Sequence, residues 1–222
     1  MKHTYAILGA GMQGTAAAYD LAKFADPAVI LLGDASLEQA QRSADRVNTL
    51  VGRSICQPRQ TDALNPESLG NLLKDADVLL SCVPYWMHTR IAKVAIETKT
   101  HMCDLGGDTS VTRATLELDA EAKAAGVTLV PDTGLAPGLV NSIGLYLLEQ
   151  LEEAETVRLF CGVLPQNPKP PFNYKLTFNI EGLVQEYEEE AVVLRDGEVQ
   201  LVPTLTELED LHIQQLGDME AF

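Results

Sequence analysis

The chain of 222 residues carries 32 acidic and 16 basic side chains, a net charge of −16, with 46% hydrophobic residues and a mean hydropathy near zero. That length fits one large domain or two small ones, with enough apolar content for a core. The acidity argues against nucleic acid as a partner. No apolar run reaches the ~20 residues of a membrane span, and the first residues lack an apolar leader, so a cytoplasmic protein without membrane contact is expected.

The first strand, residues 5–8, runs into Gly9-Ala10-Gly11-Met12-Gln13-Gly14 and a helix expected over 12–24. Gly9, Gly11 and Gly14 stand at Gly-x-Gly-x-x-Gly spacing between strand and helix, the arrangement that seats a dinucleotide diphosphate on a helix N-terminus. Gly9, Gly11, Met12, Gln13 and Gly14 are therefore candidate cofactor contacts. A second strand, residues 28–32, ends at Gly33-Asp34, with Asp34 20 residues past Gly14. A carboxylate there bonds the adenine ribose 2′-hydroxyl and repels a 2′-phosphate, which favours NAD over NADP. Asp34 is equally placed to cap the helix expected over 37–51.

A weaker strand, residues 54–56, and a helix over 67–74 follow. The fourth strand, residues 77–83, ends in Ser81-Cys82-Val83-Pro84-Tyr85-Trp86-Met87-His88, next to a helix over 87–98. The fifth, residues 101–105, ends in Cys103-Asp104-Leu105-Gly106-Gly107-Asp108, before a helix over 111–125. The sixth, residues 127–130, ends in Pro131-Asp132-Thr133-Gly134-Leu135. Strands alternating with helices predict a doubly wound parallel sheet, whose ligands bind beyond the C-terminal strand ends. Cys82, Val83 and Pro84 would then line the dinucleotide, with Tyr85 and His88 beside the nicotinamide and Asp104 on the neighbouring strand. Core packing for Tyr85, a helix start for His88 and a turn cap for Asp104 remain open alternatives.

The pattern then changes. Up to Leu148 there are 16 acidic and 12 basic residues; beyond it, 16 and 4. Strands are expected over 156–163 and 174–180, a helix over 181–187, and a hairpin of 191–194 and 199–202 around Asp196-Gly197. Cys56, Cys82, Cys103 and Cys161 form no Cys-x-x-Cys pair, so reduced thiols are expected, with no metal site.

The segments GAGMQG, CVPYWMH, KTHMCDLGGD, AKAAGVTLVPDTGLAPGLVNSIG and YKLTFNIEGLVQEYEEEAVVLRDGE resemble the saccharopine dehydrogenase-like family, and within it the lysine 6-dehydrogenase branch. The resemblance implies an NAD(P)-binding Rossmann domain over 1–136 and an α+β substrate and dimerisation domain over 137–222. The second domain is expected to be partial, since members of the family continue further. The implied activity is NAD-dependent oxidation of an amino-acid C–N bond, foremost oxidative deamination of the lysine ε-amine to the semialdehyde. Saccharopine oxidation, carboxynorspermidine-type reductive amination and a cofactor-binding but non-catalytic homologue stay open. Asp104, His88 and Tyr85 are the implied catalytic residues. Tyr85, Lys175 and Asn179 would hold a small amino-acid substrate, and Gly106, Gly134 and Leu135 would approach the cofactor. A homodimer is implied as well.

Overall fold

Six parallel strands in the order β3-β2-β1-β4-β5-β6 form the first unit of the computed structural model, which describes residues 2–162, 165–171, 173–176, 180–188 and 190–222. The strands are β1 (Thr4–Leu8), β2 (Val29–Asp34), β3 (Cys56–Gln60), β4 (Val78–Ser81), β5 (His101–Asp104) and β6 (Leu129–Val130). Helices α1 (Met12–Phe24), α2 (Leu37–Val51), α3 (Pro66–Leu73), α4 (His88–Thr98), α5 (Thr109–Leu116) and α6 (Asp119–Ala125) connect them, and α7 (Leu139–Leu148) follows. The strand order reverses between β1 and β4, as in a dinucleotide-binding Rossmann sheet.

Side-chain alternation along the strands sends two apolar sets to opposite faces. Ala6, Leu8, Leu31, Leu79 and Met102 pack with Leu69, Leu72 and Leu73 of α3 and Ile91 and Ala95 of α4. Ile7, Ile30 and Leu32 pack with Ala18 and Ala22 of α1 and Ala40, Ala44 and Val47 of α2. The small residues on α1 and α2 let those helices lie close to the sheet. Local signals set the helix ends. Ser36 accepts the Gln39 N–H at 3.3 Å to cap α2, and Asn65 caps α3 ahead of Pro66. Gly52 and Gly126 close α2 and α6 in the left-handed conformation.

Several expectations are corrected. The weak third strand lies at Cys56–Gln60 rather than 54–56, and it tolerates Pro58 because it is the sheet edge. The single helix expected over 111–125 is two, α5 and α6, because Leu118 leaves the helical path to bury itself in the core. Asp34 does not cap α2; Ser36 does.

The second compact unit is Thr156–Phe222. Residues 156–162 form no strand, and neither do 174–176. The rest of those two expected strands falls on 163 and 177–179, outside the described residues, and on Ile180, which opens helix α8 (Ile180–Glu188). The expected hairpin is present as β7 (Glu190–Arg195) and β8 (Glu198–Pro203), turning at Asp196 and Gly197 with φ of 52° and 80°. A second hairpin, β9 (Glu209–Ile213) and β10 (Gly217–Ala221), was not legible in the pattern.

The packing makes the centre of β4 sensitive. Leu79 is fully buried between two core strands, so Leu79→Ala is expected to lower the stability of the chain by roughly 2–5 kcal/mol in urea denaturation, while the solvent-facing Lys93→Ala stays within about 0.5 kcal/mol.

Candidate functional site

The turn after β1 is shaped by what presses on it. Gly9 adopts φ of 99° and donates its N–H to the Gly33 carbonyl at 2.8 Å. A Cβ on Gly9 would stand 2.9 Å from the Cys82 carbonyl and 3.3 Å from Val83. A Cβ on Gly14 would collide with the Gly9 carbonyl. Around Gly11 there is open space, nothing lying within 4 Å of a Cβ there. The result is a cradle that is crowded behind and open in front, at the N-terminus of α1. That fits a diphosphate: the first N–H groups of a helix have no intrahelical acceptor and favour negative charge. Met12, at the first turn, is exposed beside this opening.

Asp34 ends β2 with both carboxylate oxygens engaged by backbone. Oδ2 accepts the Ala10 N–H at 2.9 Å and Oδ1 accepts the Ser36 N–H at 2.9 Å. The candidate ribose partner thus also fixes the glycine turn. Each carboxylate oxygen keeps acceptor capacity for a second donor.

The neighbouring strand ends interlock. After β4, Pro84 leads into a 3₁₀ turn, Tyr85–Met87, and His88 opens α4. His88 and Asp104 are each about 2% exposed, with His88 Nδ1 3.3 Å from Asp104 Oδ1. The other ring nitrogen, Nε2, lies 3.2 Å from the Val83 carbonyl. Asp104 Oδ1 also accepts the N–H groups of Gly106 at 2.8 Å and Asp132 at 3.1 Å. The Asp104 carbonyl accepts the Thr133 N–H at 2.8 Å and its hydroxyl at 2.6 Å. Burial alone would push the Asp104 carboxyl up. The hydrogen bond and charge of His88, with the two backbone N–H groups, outweigh it and hold the carboxyl below its ordinary value.

Tyr85 packs against the next loop, where a Cβ on Gly107 would stand 3.0 Å from its Cβ. Gly106, at φ of 75°, leaves room for the Asp132 carboxyl, and Gly134 lies against the Leu105 carbonyl. Leu135 is exposed on the same loop. The candidates of the first unit therefore fall into one continuous neighbourhood: Gly9 to Cys82 and Val83, His88 to Asp104, Tyr85 to Gly107, and Leu105 to Gly134. Lys175 is an exposed residue of the second unit, and Asn179 lies outside the described residues.

Asp132 was not singled out by sequence reasoning. It has a left-handed backbone, φ of 59°, and a buried Oδ1 without a hydrogen-bond partner among the described residues. Burial raises its carboxyl above the ordinary value. A hydrogen bond from Thr112 opposes this, and the nearby charge of Asp104 adds to it. The available signal was its place, an acidic residue directly after the sixth strand on the edge already marked by Asp104. Burial, helped by neighbouring Cys103, pushes the Cys82 thiol up to about 12, which keeps it protonated at neutral pH.

Comparison with known proteins bears on the whole chain. The family profile described as "Saccharopine dehydrogenase NADP binding domain" matches residues 5–130, and "Saccharopine dehydrogenase C-terminal domain" matches residues 134–222. A saccharopine dehydrogenase [NADP(+), L-glutamate-forming] of Saccharomyces cerevisiae is 26% identical over 76% of this chain and 39% of its own length. A mitochondrial alpha-aminoadipic semialdehyde synthase of Bos taurus is 28% identical over 60% of this chain and 15% of its own. The solved apo structure of a saccharopine dehydrogenase (L-Glu forming) from Saccharomyces cerevisiae superposes with a TM-score of 0.68 at 22% identity, over 95% of this chain and 47% of that one, a likeness of fold. The chain spans less than half the length of each of these relatives.

The buried pair has a signed pH dependence. A carboxyl held low in the folded state contributes stability that is full above the unfolded value of about 3.9 and is lost as pH falls through the lower folded value. Asp104→Asn is expected to cost roughly 3–5 kcal/mol at neutral pH and to flatten the loss of stability that the parent chain shows on acidification below about pH 4, read by urea denaturation across pH.

Proposed function

This chain belongs to the saccharopine dehydrogenase family, and on that footing we propose that it is a pyridine-nucleotide-dependent oxidoreductase acting on the C–N bond of an amino-acid amine, with the secondary amine saccharopine as the favoured substrate. The observation that carries the reading is the contact of the glycine turn with Cys82 and Val83, on the same edge as Tyr85, Asp104 and Asp132. A diphosphate seat and ionisable groups beside it are what such chemistry needs. The names of the relatives support saccharopine over the lysine ε-amine. A homodimer is part of the proposal, and the exposed Ile143, Tyr146 and Leu147 of α7, spaced i, i+3, i+4, supply an apolar face for it.

A bound pyridine nucleotide supplies the hydride acceptor. Gly9, Gly11, Met12, Gln13 and Gly14 would hold its diphosphate, Asp34 its adenine ribose, and Val83, Pro84, Gly106, Gly134 and Leu135 its nicotinamide end. NAD is the proposed form. The relatives' names print NADP, but in this chain Asp34 would put a carboxylate where NADP carries its 2′-phosphate, and the next residues are Ala35 and Ser36, which bring no positive charge. Arg42 is paired with Glu38.

The substrate nitrogen must hold a lone pair before its carbon can release hydride, so an amine cation must first lose a proton. Asp132 is the proposed acceptor, because a carboxyl raised by burial is the better base near neutrality. Asp104 and His88, catalytic by the family resemblance, are assigned a positioning role: they face each other inside the protein, and Asp104 holds the Asp132 loop through its N–H. Tyr85, half-buried in the turn after β4, is left to orient the amine. Water then adds to the oxidised carbon and releases the nitrogen with its substituent.

Purified chain mixed with saccharopine or lysine, each with NAD or NADP, tests the proposal by the absorbance of reduced nucleotide. Saccharopine with NAD should react at least about tenfold faster than with NADP, given the like charges at Asp34. Turnover of lysine alone would move the substrate to the ε-amine. Nucleotide binding without turnover of either would leave a cofactor-binding protein, and preference for NADP would remove the role given to Asp34.

Asp132→Asn keeps a residue that tolerates the left-handed backbone. It is expected to leave the melting temperature near that of the parent chain and to lower kcat by roughly 10²–10⁴-fold. An unchanged rate would shift the proton transfer elsewhere.

A further inference from the structure

Ala10 stands between the two glycines of the turn and is fully buried. Side chains from outside the turn take both of its backbone polar groups. Its N–H donates to Asp34 Oδ2 at 2.9 Å. Its carbonyl accepts Gln39 Nε2 at 2.7 Å and Ser43 Oγ at 2.9 Å. Gln39 and Ser43 sit four residues apart on α2, so both reach the same point from one helix face. They are also bonded to each other, Gln39 Nε2 donating to Ser43 Oγ at 3.2 Å. The single proton of the Thr15 hydroxyl has three acceptors in reach: the Gly11 carbonyl at 2.7 Å, Ser43 Oγ at 2.9 Å and the Ala10 carbonyl at 3.3 Å.

The arrangement has a directional consequence. The Ala10–Gly11 peptide unit is planar and trans, so its carbonyl and its N–H point opposite ways. A carbonyl pinned toward α2 turns the Gly11 N–H away from α2, and around Gly11 there is open space. A turn with free rotation would have to be ordered when an anion arrives; one already held by α2 would not. Ser43 is 5% exposed on a helix face otherwise made of Ala40, Ala44 and Val47, where an alanine would pack without a polar group to satisfy.

We propose that Gln39 and Ser43, assisted by Thr15, are positioning residues for the dinucleotide diphosphate, presetting the Gly11 N–H as a donor before the cofactor binds. This rests on the reading that the chain binds a pyridine nucleotide. It extends the diphosphate site to α2, an element that would not touch the diphosphate itself.

The test is titration of the full chain with NADH, followed by nucleotide fluorescence at a temperature well below melting, alongside the melting temperature of the free protein. The variants are Ser43→Ala, Gln39→Met and the pair, with Gln41→Met on the exposed side of α2 as control. Each single change should raise the NADH Kd about three- to tenfold, as for one lost hydrogen bond, and the pair should raise it further. Gln41→Met should leave it unchanged. ADP-ribose, which carries the diphosphate but no nicotinamide, should lose affinity in parallel. Variants that melt earlier yet bind NADH as tightly as the parent chain would reduce the network to a structural one and overturn the proposal. Parent chain that binds neither NADH nor NADPH would overturn the functional reading as well, and that control separates the two failures.

Discussion

Everything at the binding edge depends on how closely the backbone of the first turn can approach its neighbours. Gly9 bonds the end of β2 through Gly33 and nearly touches the end of β4 at Cys82, while Gly14 lets α1 sit on the Gly9 carbonyl. No side chain fits in either contact. Two strand ends distant in the chain, those of β2 and β4, are thereby drawn to one point, where α1 begins with first-turn N–H groups that have no intrahelical acceptor. The sheet supplies the rigid support: β1 lies between β2 and β4, with apolar residues buried on both faces.

The second constraint is polar. A carboxylate as buried as Asp104 is tolerable only when its neighbours satisfy it, and here a histidine ring and two backbone N–H groups do so. Those partners come from three different loops, so satisfying one charge also fixes how the loops meet. Asp132 carries the cost, with a left-handed backbone and an oxygen that has no hydrogen-bond partner among the described residues. Strain of that kind persists where the surroundings over-determine a residue, and it gathers at functional sites.

The two units are built on different economies of burial. The first encloses two apolar clusters. In the second, β7 and β8 leave Val192, Leu194, Val199 and Leu201 exposed, and each of its sheets has two strands. Isolated two-stranded hairpins are marginal in water unless something packs on them. The excess of acidic residues beyond Leu148 belongs mainly to this second unit.

Local periodicity and turn chemistry were enough to read β1 through β6 in order, the glycine cradle, the start of α2 and the Asp196-Gly197 hairpin, because each is encoded within a few adjacent residues. The same reasoning reached Asp104, His88 and Tyr85 as one neighbourhood, since parallel strands must end on a common edge. It failed where the deciding partner is far along the chain. Whether residues 156–162 pair as a strand depends on a neighbour to pair with, and whether 111–125 stays one helix depends on where Leu118 finds the core. It also passed over Gln39 and Ser43, whose shared bonds to the Ala10 carbonyl show only once Ala10 lies beside them. Sequence alone determined the order of β1 to β6 and the chemistry offered at their ends. Tertiary structure decided which of those groups are buried, paired or left without a partner, because burial and hydrogen bonding are properties of contacts between residues tens of positions apart.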